Sequence, residues 1–367
     1  MIIGYEAKRI FHNRSGLGNY GRNLLHALNQ NYPEHRYLLY NYKPGPLSFS
    51  EVSTEEIQPP QHQKWLATLW RQSLVSSRAR ADEVQIFHGL SQELPAGLSS
   101  RGIPSVVSVH DLIFKRFPEH YKRIDRQIYL RKLRHACKAA NRIVAISRQT
   151  REDLIHFLDV PPEKIAVVYQ GCHPEFWQSQ AARYNRVQTQ WQLPKRYVLF
   201  VGTLERRKNP VLLAQSCLKQ QIPLILVGKA TRYWNKYYQS LNNAEREWIR
   251  PLKVESTPDL AALYQMAEVM AYPSIFEGFG IPVLEAMASG TAVITSSQSS
   301  LPEVSGPGAW QLPEVTAVHL GEALEALWGQ AERRKELTKA AGNYVQQFRD
   351  EVLAKQWMKI YQDLAPA

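Results

Sequence analysis

Two Rossmann-like α/β domains are the architecture this sequence predicts, and three observations carry that expectation. At 367 residues the chain exceeds what one ordinary core supports. Short β-branched or aromatic runs alternate with longer stretches whose apolar residues recur at three and four, the rhythm of parallel βαβ units. That rhythm occurs twice, on either side of a polar, glutamine-rich break, "WQSQAARYNRVQTQWQLPKR", Trp177 to Arg196.

The first series reads as strands at "MIIGYEA", "RYLLYNY", "VQIFHG", "PSVVSVH", "RIVAIS" and "KIAVVYQ", with helices over Gly18 to Gln30 and Tyr121 to Ala140. The second reads as "YVLFVGT", "PLILVG", "LKVES", "VMAYPS" and "TAVITSS". The first domain is therefore expected over residues 1–183 and the second over 184–345. In the remaining segment, 346–367, Val352, Leu353, Trp357, Ile360, Tyr361 and Leu364 form one apolar stripe. Such a helix either seals the edge of the second domain or crosses back to the first, and periodicity leaves both open.

Hydrophobic content of 44% and charged content of 21% are those of a globular protein. The start, "MIIGYEAKRI", has no basic leader, and no apolar run reaches bilayer length, so a cytoplasmic protein with at most peripheral membrane contact is expected. Cys137, Cys172 and Cys217 are scattered, which suggests neither a zinc site nor a disulfide framework. The net charge of +12 favours an anionic partner: nucleic acid, a phosphorylated small molecule or an acidic lipid surface.

Ligands of open α/β sheets bind in the loops that follow the strands, and four such loops stand out. In "RSGLGNYGRNLL", Gly16, Gly18 and Gly21 precede a helix, where glycine lets backbone N–H groups approach an anion. The spacing also matches a dinucleotide fingerprint, but no acid follows at the right distance, which disfavours a nicotinamide enzyme. In "VSVHDL", His110 and Asp111 end a strand, and a satisfied strand-end histidine explains His110 as well as a functional one does. His88 in "IFHGL" is a parallel case. In "VGTLERRKNPVLL", Arg206, Arg207 and Lys208 lead into a helix, an arrangement that suits a phosphate or diphosphate.

The fourth loop is "PSIFEGFGIPVLEAMASG". Gly278 and Gly280 make its turn, and Pro282 suits the first turn of a helix. Glu285, one turn into that helix, is favoured there by the macrodipole alone. Glu277 has no such explanation, since it stands before the glycines among apolar neighbours. Carboxylates suit vicinal hydroxyls, so two of them beside a cationic cradle fit the two sugar ends of a nucleotide sugar.

These residues resemble the E-x7-E signature of retaining glycosyltransferases with the GT-B fold, family four. "SGLGNYGRNLL", "VHDL", "AISRQTREDL", "VVYQG", "VGTLERRKN" and "SLPEVSG" also resemble that family, in order and over nearly the whole chain. The resemblance implies two Rossmann-like domains facing a cleft, with the C-terminal helix crossing back to the first. It implies that the first domain takes the acceptor and the second the nucleotide sugar. Glu285 would bind the ribose, and Glu277 the hydroxyls of the transferred sugar. Backbone N–H groups of Gly278, Phe279 and Gly280 would help hold that sugar and the diphosphate. Lys208 with Arg207 would balance the diphosphate, Gly16 and Gly18 would approach it, and His110 would lie near donor sugar and acceptor. Many relatives carry Gly-Arg where this chain has Gly202-Thr203, and Arg207 is the residue to compensate. No D-x-D motif is apparent and the family needs no metal, so the expected cofactor set is empty and the metal site none. Retention would follow a same-face displacement in which Glu277 need not be a nucleophile.

"VHDL" and "LWRQ" (Leu69 to Gln72) look most like mannosyltransferases that use GDP-mannose in polysaccharide synthesis, with UDP-hexose donors as the alternative. The acceptor would be a saccharide or lipid-linked glycan. Ten basic residues between Lys115 and Arg142 form either a solvated face or a docking surface for the inner, anionic face of a membrane. Trp65, Leu69, Trp70 and Leu74 on a neighbouring amphipathic segment serve either the core or that contact. A nucleic-acid-binding protein is the rival motivated by charge, and it lacks any recognisable module. A phosphorylase or nucleotide-sugar epimerase would keep the fold, but the ordered motifs argue against both.

Overall fold

The computed structural model describes residues 1–60 and 67–365. The chain divides into two units, residues 1–171 with 348–367, and residues 172–347. Five helices matter to the functional residues: α1 (Gly16–Asn31), α2 (Arg123–Ala139), α3 (Pro210–Lys219), α4 (Ile281–Ala288) and α5 (Asp350–Leu364).

The first unit is built on seven strands: β1 (Ile2–Glu6), β2 (Arg36–Tyr40), β3 (Thr54–Ile57), β4 (Ile86–Gly89), β5 (Ser105–Val109), β6 (Arg142–Ala145) and β7 (Ile165–Val167). They lie in the order β3-β2-β1-β4-β5-β6-β7, and every pairing is parallel. Register is set through pairs such as Ile3 with Tyr37 on one side and Ile3 with Ile86 on the other. Both faces of the central strands are covered, so β4 and β5 are buried along their whole length. The second unit has six strands: β8 (Val198–Val201), β9 (Leu224–Val227), β10 (Ile249–Leu252), β11 (Val269–Tyr272), β12 (Ala292–Ser296) and β13 (Ala309–Leu312). Their order is β10-β9-β8-β11-β12-β13, again all parallel.

The differences from the sequence-based expectation fall at the edges. β3, "TEEI", reads as polar because it is an edge strand whose two glutamates are exposed. β13 is a second unanticipated edge. The strand expected at "LKVES" lies three residues earlier, as Ile249–Leu252, and tolerates Pro251 because β10 has a partner on one side only.

The division between units falls at 171/172 rather than at 183/184, because residues 172–191 pack with the second unit. Gln265 accepts from the Gln180 backbone N–H (2.8 Å) and the Tyr184 hydroxyl (3.0 Å), and donates to the Gln178 carbonyl (2.7 Å). Helix α5 packs on α1 in the first unit. Its buried face is Leu353, Ala354, Trp357, Met358 and Tyr361, while Val352 is exposed. Of the amphipathic segment, Trp70 is buried in the first core, Leu74 packs partly against it and Leu69 is exposed; Trp65 lies outside the described residues. No helix among the described residues is long and apolar enough to cross a membrane.

Candidate active site

In the second unit the loops after β8 and β11 are laced together. After β8 the chain leaves through Gly202, which lies against the turn after β9: a Cβ on Gly228, at φ +154°, would meet the Gly202 carbonyl oxygen at 2.0 Å. A short turn, Arg206–Lys208, follows, and Asn209 in the left-handed region starts α3 with Pro210 at its first position. Asn209 donates to the Pro273 carbonyl (2.9 Å), and the Ile275 N–H donates to the Arg207 carbonyl (3.0 Å). The Arg207 guanidinium also donates to the Phe276 carbonyl.

Glu277 is the centre of this weave. Its Oε1 accepts from Ser274 Oγ (2.8 Å) and Tyr272 OH (2.9 Å), and pairs with Arg207 Nη1 (2.9 Å) and Lys208 Nζ (3.2 Å). Lys208 also donates to the Tyr272 hydroxyl and lies over its ring. Burial pushes the Glu277 carboxyl up, but Lys208, Arg207 and the two hydroxyls outweigh it, so its pKa falls below the ordinary range. Arg207 is braced a third time by Glu205 (2.5 Å), and its own pKa rises because Glu277 and Glu205 overcome its burial.

The turn beyond Glu277 is held from the other side. Ser299 Oγ accepts from the Glu277 N–H (2.9 Å), and Ser300 Oγ bonds the Glu277 (2.9 Å) and Phe279 (2.8 Å) carbonyls. Gly280 sits at φ +115°, where a Cβ would come within 2.8 Å of Leu301, so glycine is required on two counts. Helix α4 then presents Glu285, buried and hydrogen-bonded by Tyr264 OH (2.9 Å). Burial raises the Glu285 pKa to about 7, with the Tyr264 hydrogen bond opposing the rise. The two acids, alike in the sequence, are thus in opposite states: Glu277 is fixed and ionised, and Glu285 is poised to release a proton.

In the first unit His110 follows β5 and is buried. Its Nε2 donates to the Leu90 carbonyl (2.8 Å), which leaves Nδ1 as the acceptor facing Gln170 Nε2 (3.4 Å). The His110 and Tyr20 rings are perpendicular, with centroids 4.6 Å apart. Burial lowers the His110 pKa to about 4, so the ring is neutral near pH 7. Asp111 accepts from the Ile113 N–H (3.0 Å) in a local turn. His88 belongs to the interior: Nδ1 meets Tyr361 OH (2.8 Å) and Nε2 meets Ser108 Oγ (2.8 Å).

The glycine loop differs from expectation. Helix α1 begins at Gly16, so Gly16, Gly18 and Gly21 lie inside its first turns rather than ahead of it. The Gly18 N–H is already bonded to the Ser15 carbonyl (2.9 Å). Gly18 is needed for packing, since a Cβ there would meet the Asn13 carbonyl oxygen at 1.9 Å, whereas Gly16 has open space around it.

Sequence reasoning found Glu277, Arg207, Lys208 and Glu285, and the structure brings the first three into direct contact. It missed Tyr272, Ser274 and Tyr264. Tyr272 and Ser274 were within reach, as polar side chains at a strand's last position and two residues beyond; Tyr264 lies inside a helix with no spacing signal.

Two parallel-sheet units, the second with an ionised acid and two cations beside a glycine turn, fit an α/β glycosyltransferase of GT-B type, and the family comparisons carry that class. The Glycosyltransferase Family 4 model matches residues 14–176, and the Glycosyl transferases group 1 model matches residues 183–344. The chain belongs to that glycosyltransferase family. It is 34% identical over 230 residues to O-antigen chain mannosyltransferase B of Escherichia coli, covering 60% of this chain and 59% of that protein. It is 28% identical over 240 residues to the serotype-specific mannosyltransferase WbdA of Escherichia coli, covering 61% of this chain and 29% of that protein. The chain thus spans less than two thirds of the length of these curated relatives. Over 99% of both chains its fold matches Anabaena HepE in complex with UDP-glucose, with a TM-score of 0.75 at 18% identity.

Proposed function

We propose that this protein transfers a hexose, with retention and without a metal ion, from a nucleotide sugar to a glycan or lipid-linked saccharide in cell-surface polysaccharide synthesis. The carrying observation is the Glu277–Arg207–Lys208 cluster beside the buried Glu285. In this reading Glu285 accepts the ribose hydroxyls, and Glu277 accepts those of the transferred sugar through the carboxylate that Oε1 anchors. Backbone N–H groups of Gly278, Phe279 and Gly280 would help hold the sugar and diphosphate.

The two cations divide the remaining work. Arg207 is tied to Glu205, Glu277 and the Phe276 carbonyl, and acts by holding Glu277 in place. Lys208, on a flexible stem, can leave Glu277 to meet the diphosphate as charge grows on the leaving oxygen. The departing phosphate takes the acceptor hydroxyl's proton as the new glycosidic bond forms on the same face. His110 is neutral with Nδ1 unprotonated, and in this reading a substrate hydroxyl replaces Gln170 as the donor to Nδ1.

Mannose from GDP-mannose is the donor we favour, on the likeness to the two mannosyltransferases. A UDP-hexose is the second reading, which the fold likeness to a protein bound to UDP-glucose keeps in view. Thermal stabilisation and turnover measured across a panel of nucleotide sugars test both. A preference for oligonucleotides over every nucleotide sugar overturns the whole reading.

Peripheral contact with an anionic membrane is part of the proposal. Helix α2 carries basic residues around an exposed apolar pair one turn apart, Ile124 (74% exposed) and Ile128 (46%). Asp153 engages Arg116 and Glu93 engages Lys132, so part of the basic region's charge is already paired. Sedimentation with anionic liposomes should show binding that weakens with salt and with Ile124→Ser; salt-insensitive or absent binding removes this element.

A further inference from the structure

We propose that Glu93 and Lys132 form the subsite that holds the acceptor saccharide, presented on the loop that also fixes His110. The proposal rests on the glycosyltransferase reading above.

Glu6 ends β1, and Glu93 follows the neighbouring strand β4, so both stand at the C-terminal rim of the first sheet. Arg71 reaches them from a π-helical turn, Trp70–Leu74, a local geometry often found at functional positions. Its Nη1 pairs with Glu6 Oε1 (3.3 Å) and Glu93 Oε2 (2.7 Å). From α2, Lys132 Nζ pairs with Glu93 Oε1 (2.9 Å).

Ion clusters of this kind add little stability over apolar packing, so stability is a poor reason for this one. The four residues grade from inside to outside. Glu6 and Arg71 are buried, whereas the Glu93 and Lys132 side chains are 23% and 39% exposed. The inner pair orients Glu93, and the outer pair meets solvent. Each Glu93 oxygen keeps a further lone pair, and the Lys132 ammonium keeps two further protons. An acceptor and a donor side by side match vicinal hydroxyls, which both give and take hydrogen bonds.

The loop Leu90–Leu94 ties this pair to His110. The Leu90 carbonyl holds His110 Nε2, and three residues later comes Glu93. The loop is tightly packed: a Cβ on Gly89 would lie 2.1 Å from the Glu93 carbonyl oxygen. Gln92 adopts φ +61°, and its side chain donates to the Asp111 carbonyl (3.0 Å). A left-handed glutamine is costly and persists where the surroundings impose it.

Lys132→Ala and Glu93→Gln test the subsite in the full chain. The donor is the nucleotide sugar the wild type uses, and the acceptor is α-linked mannobiose or whichever short saccharide of a panel the wild type elongates. Each substitution should raise the acceptor KM at least tenfold and leave the donor KM within twofold. An acceptor KM unchanged in Lys132→Ala overturns the subsite while leaving the glycosyltransferase reading intact. If Glu93→Gln lowers the melting temperature and raises both KM values alike, Lys132→Ala, at the cluster's outer edge, decides alone. A wild type that transfers no hexose from any nucleotide sugar overturns the glycosyltransferase reading and the subsite with it.

Discussion

Replacing Glu285 by Gln removes one ionisable proton from a buried position and keeps the side chain's shape. The carboxyl rises from an ordinary 4.5 to about 7 on burial, against the Tyr264 hydrogen bond. Between those pH values native Glu285 stays protonated while the unfolded chain has lost its proton. The native state therefore binds more protons, and stability falls as pH rises from 4.5 to about 7, then levels off. At about 1.4 kcal/mol per tenfold change in proton affinity, the penalty above pH 7 is about 3 kcal/mol. Glutamine carries none of it and still accepts from Tyr264. Urea unfolding of the wild type and Glu285→Gln at pH 5 and pH 8 should show a gap of below about 1 kcal/mol at the lower pH and about 3 kcal/mol, in favour of the variant, at the higher. The same variant should bind the nucleotide about 10- to 100-fold more weakly, because hydrogen bonds to a charged acceptor exceed those to an amide by about 1–3 kcal/mol over a diol. A stability gap independent of pH, or a wild type that is the more stable at pH 8, refutes the reasoning.

Nucleotide binding near pH 6.5 should release a proton, since ribose hydroxyls donating to Glu285 favour its ionised form; calorimetry in buffers of different ionisation enthalpy reads this directly. Glu277→Gln should lower kcat at least tenfold with a smaller change in nucleotide affinity, and equal small effects on both would make Glu277 structural. Gly280→Ala should cost about 1–3 kcal/mol in unfolding free energy, from its φ of +115° and the Leu301 contact; a neutral outcome contradicts the tight turn. With a pKa of about 4, His110 should leave no step in the rate profile between pH 5.5 and 8, and a limb near pH 6.5 abolished by His110→Gln would count against its neutral state.

Central strands were readable because parallel strands covered on both faces are nearly continuous apolar runs, as in "VLFV" of β8 and "AVITS" of β12. Edge strands do not follow that rule. β3 displays Glu55 and Glu56, and β10 holds Pro251, so residue type pointed to loops. The site divides along a similar line. Glu277 stood out because no local helix or turn preference explained it. Its partners stayed hidden, because Tyr272 ends a strand that reads as core and a sequence does not say that two loops are laced. His110 and His88 look alike on paper; only the three-dimensional partners separate a rim histidine from one enclosed by Tyr361 and Ser108.

Helix α5 fills the first unit with residues made after the second unit is complete. The Tyr361 hydroxyl accepts from Tyr5 OH and bonds His88 Nδ1, and the Trp357 and His88 ring centroids lie 4.7 Å apart. During synthesis, residues 1–171 therefore emerge with an open apolar bed and an unmatched histidine, and remain so for the 176 residues of 172–347. The second unit is continuous in sequence and can close its own sheet in that interval. Birth order and completion order are inverted, so the first-made half waits longest for its final shape and is the half that most needs a chaperone's cover on the ribosome.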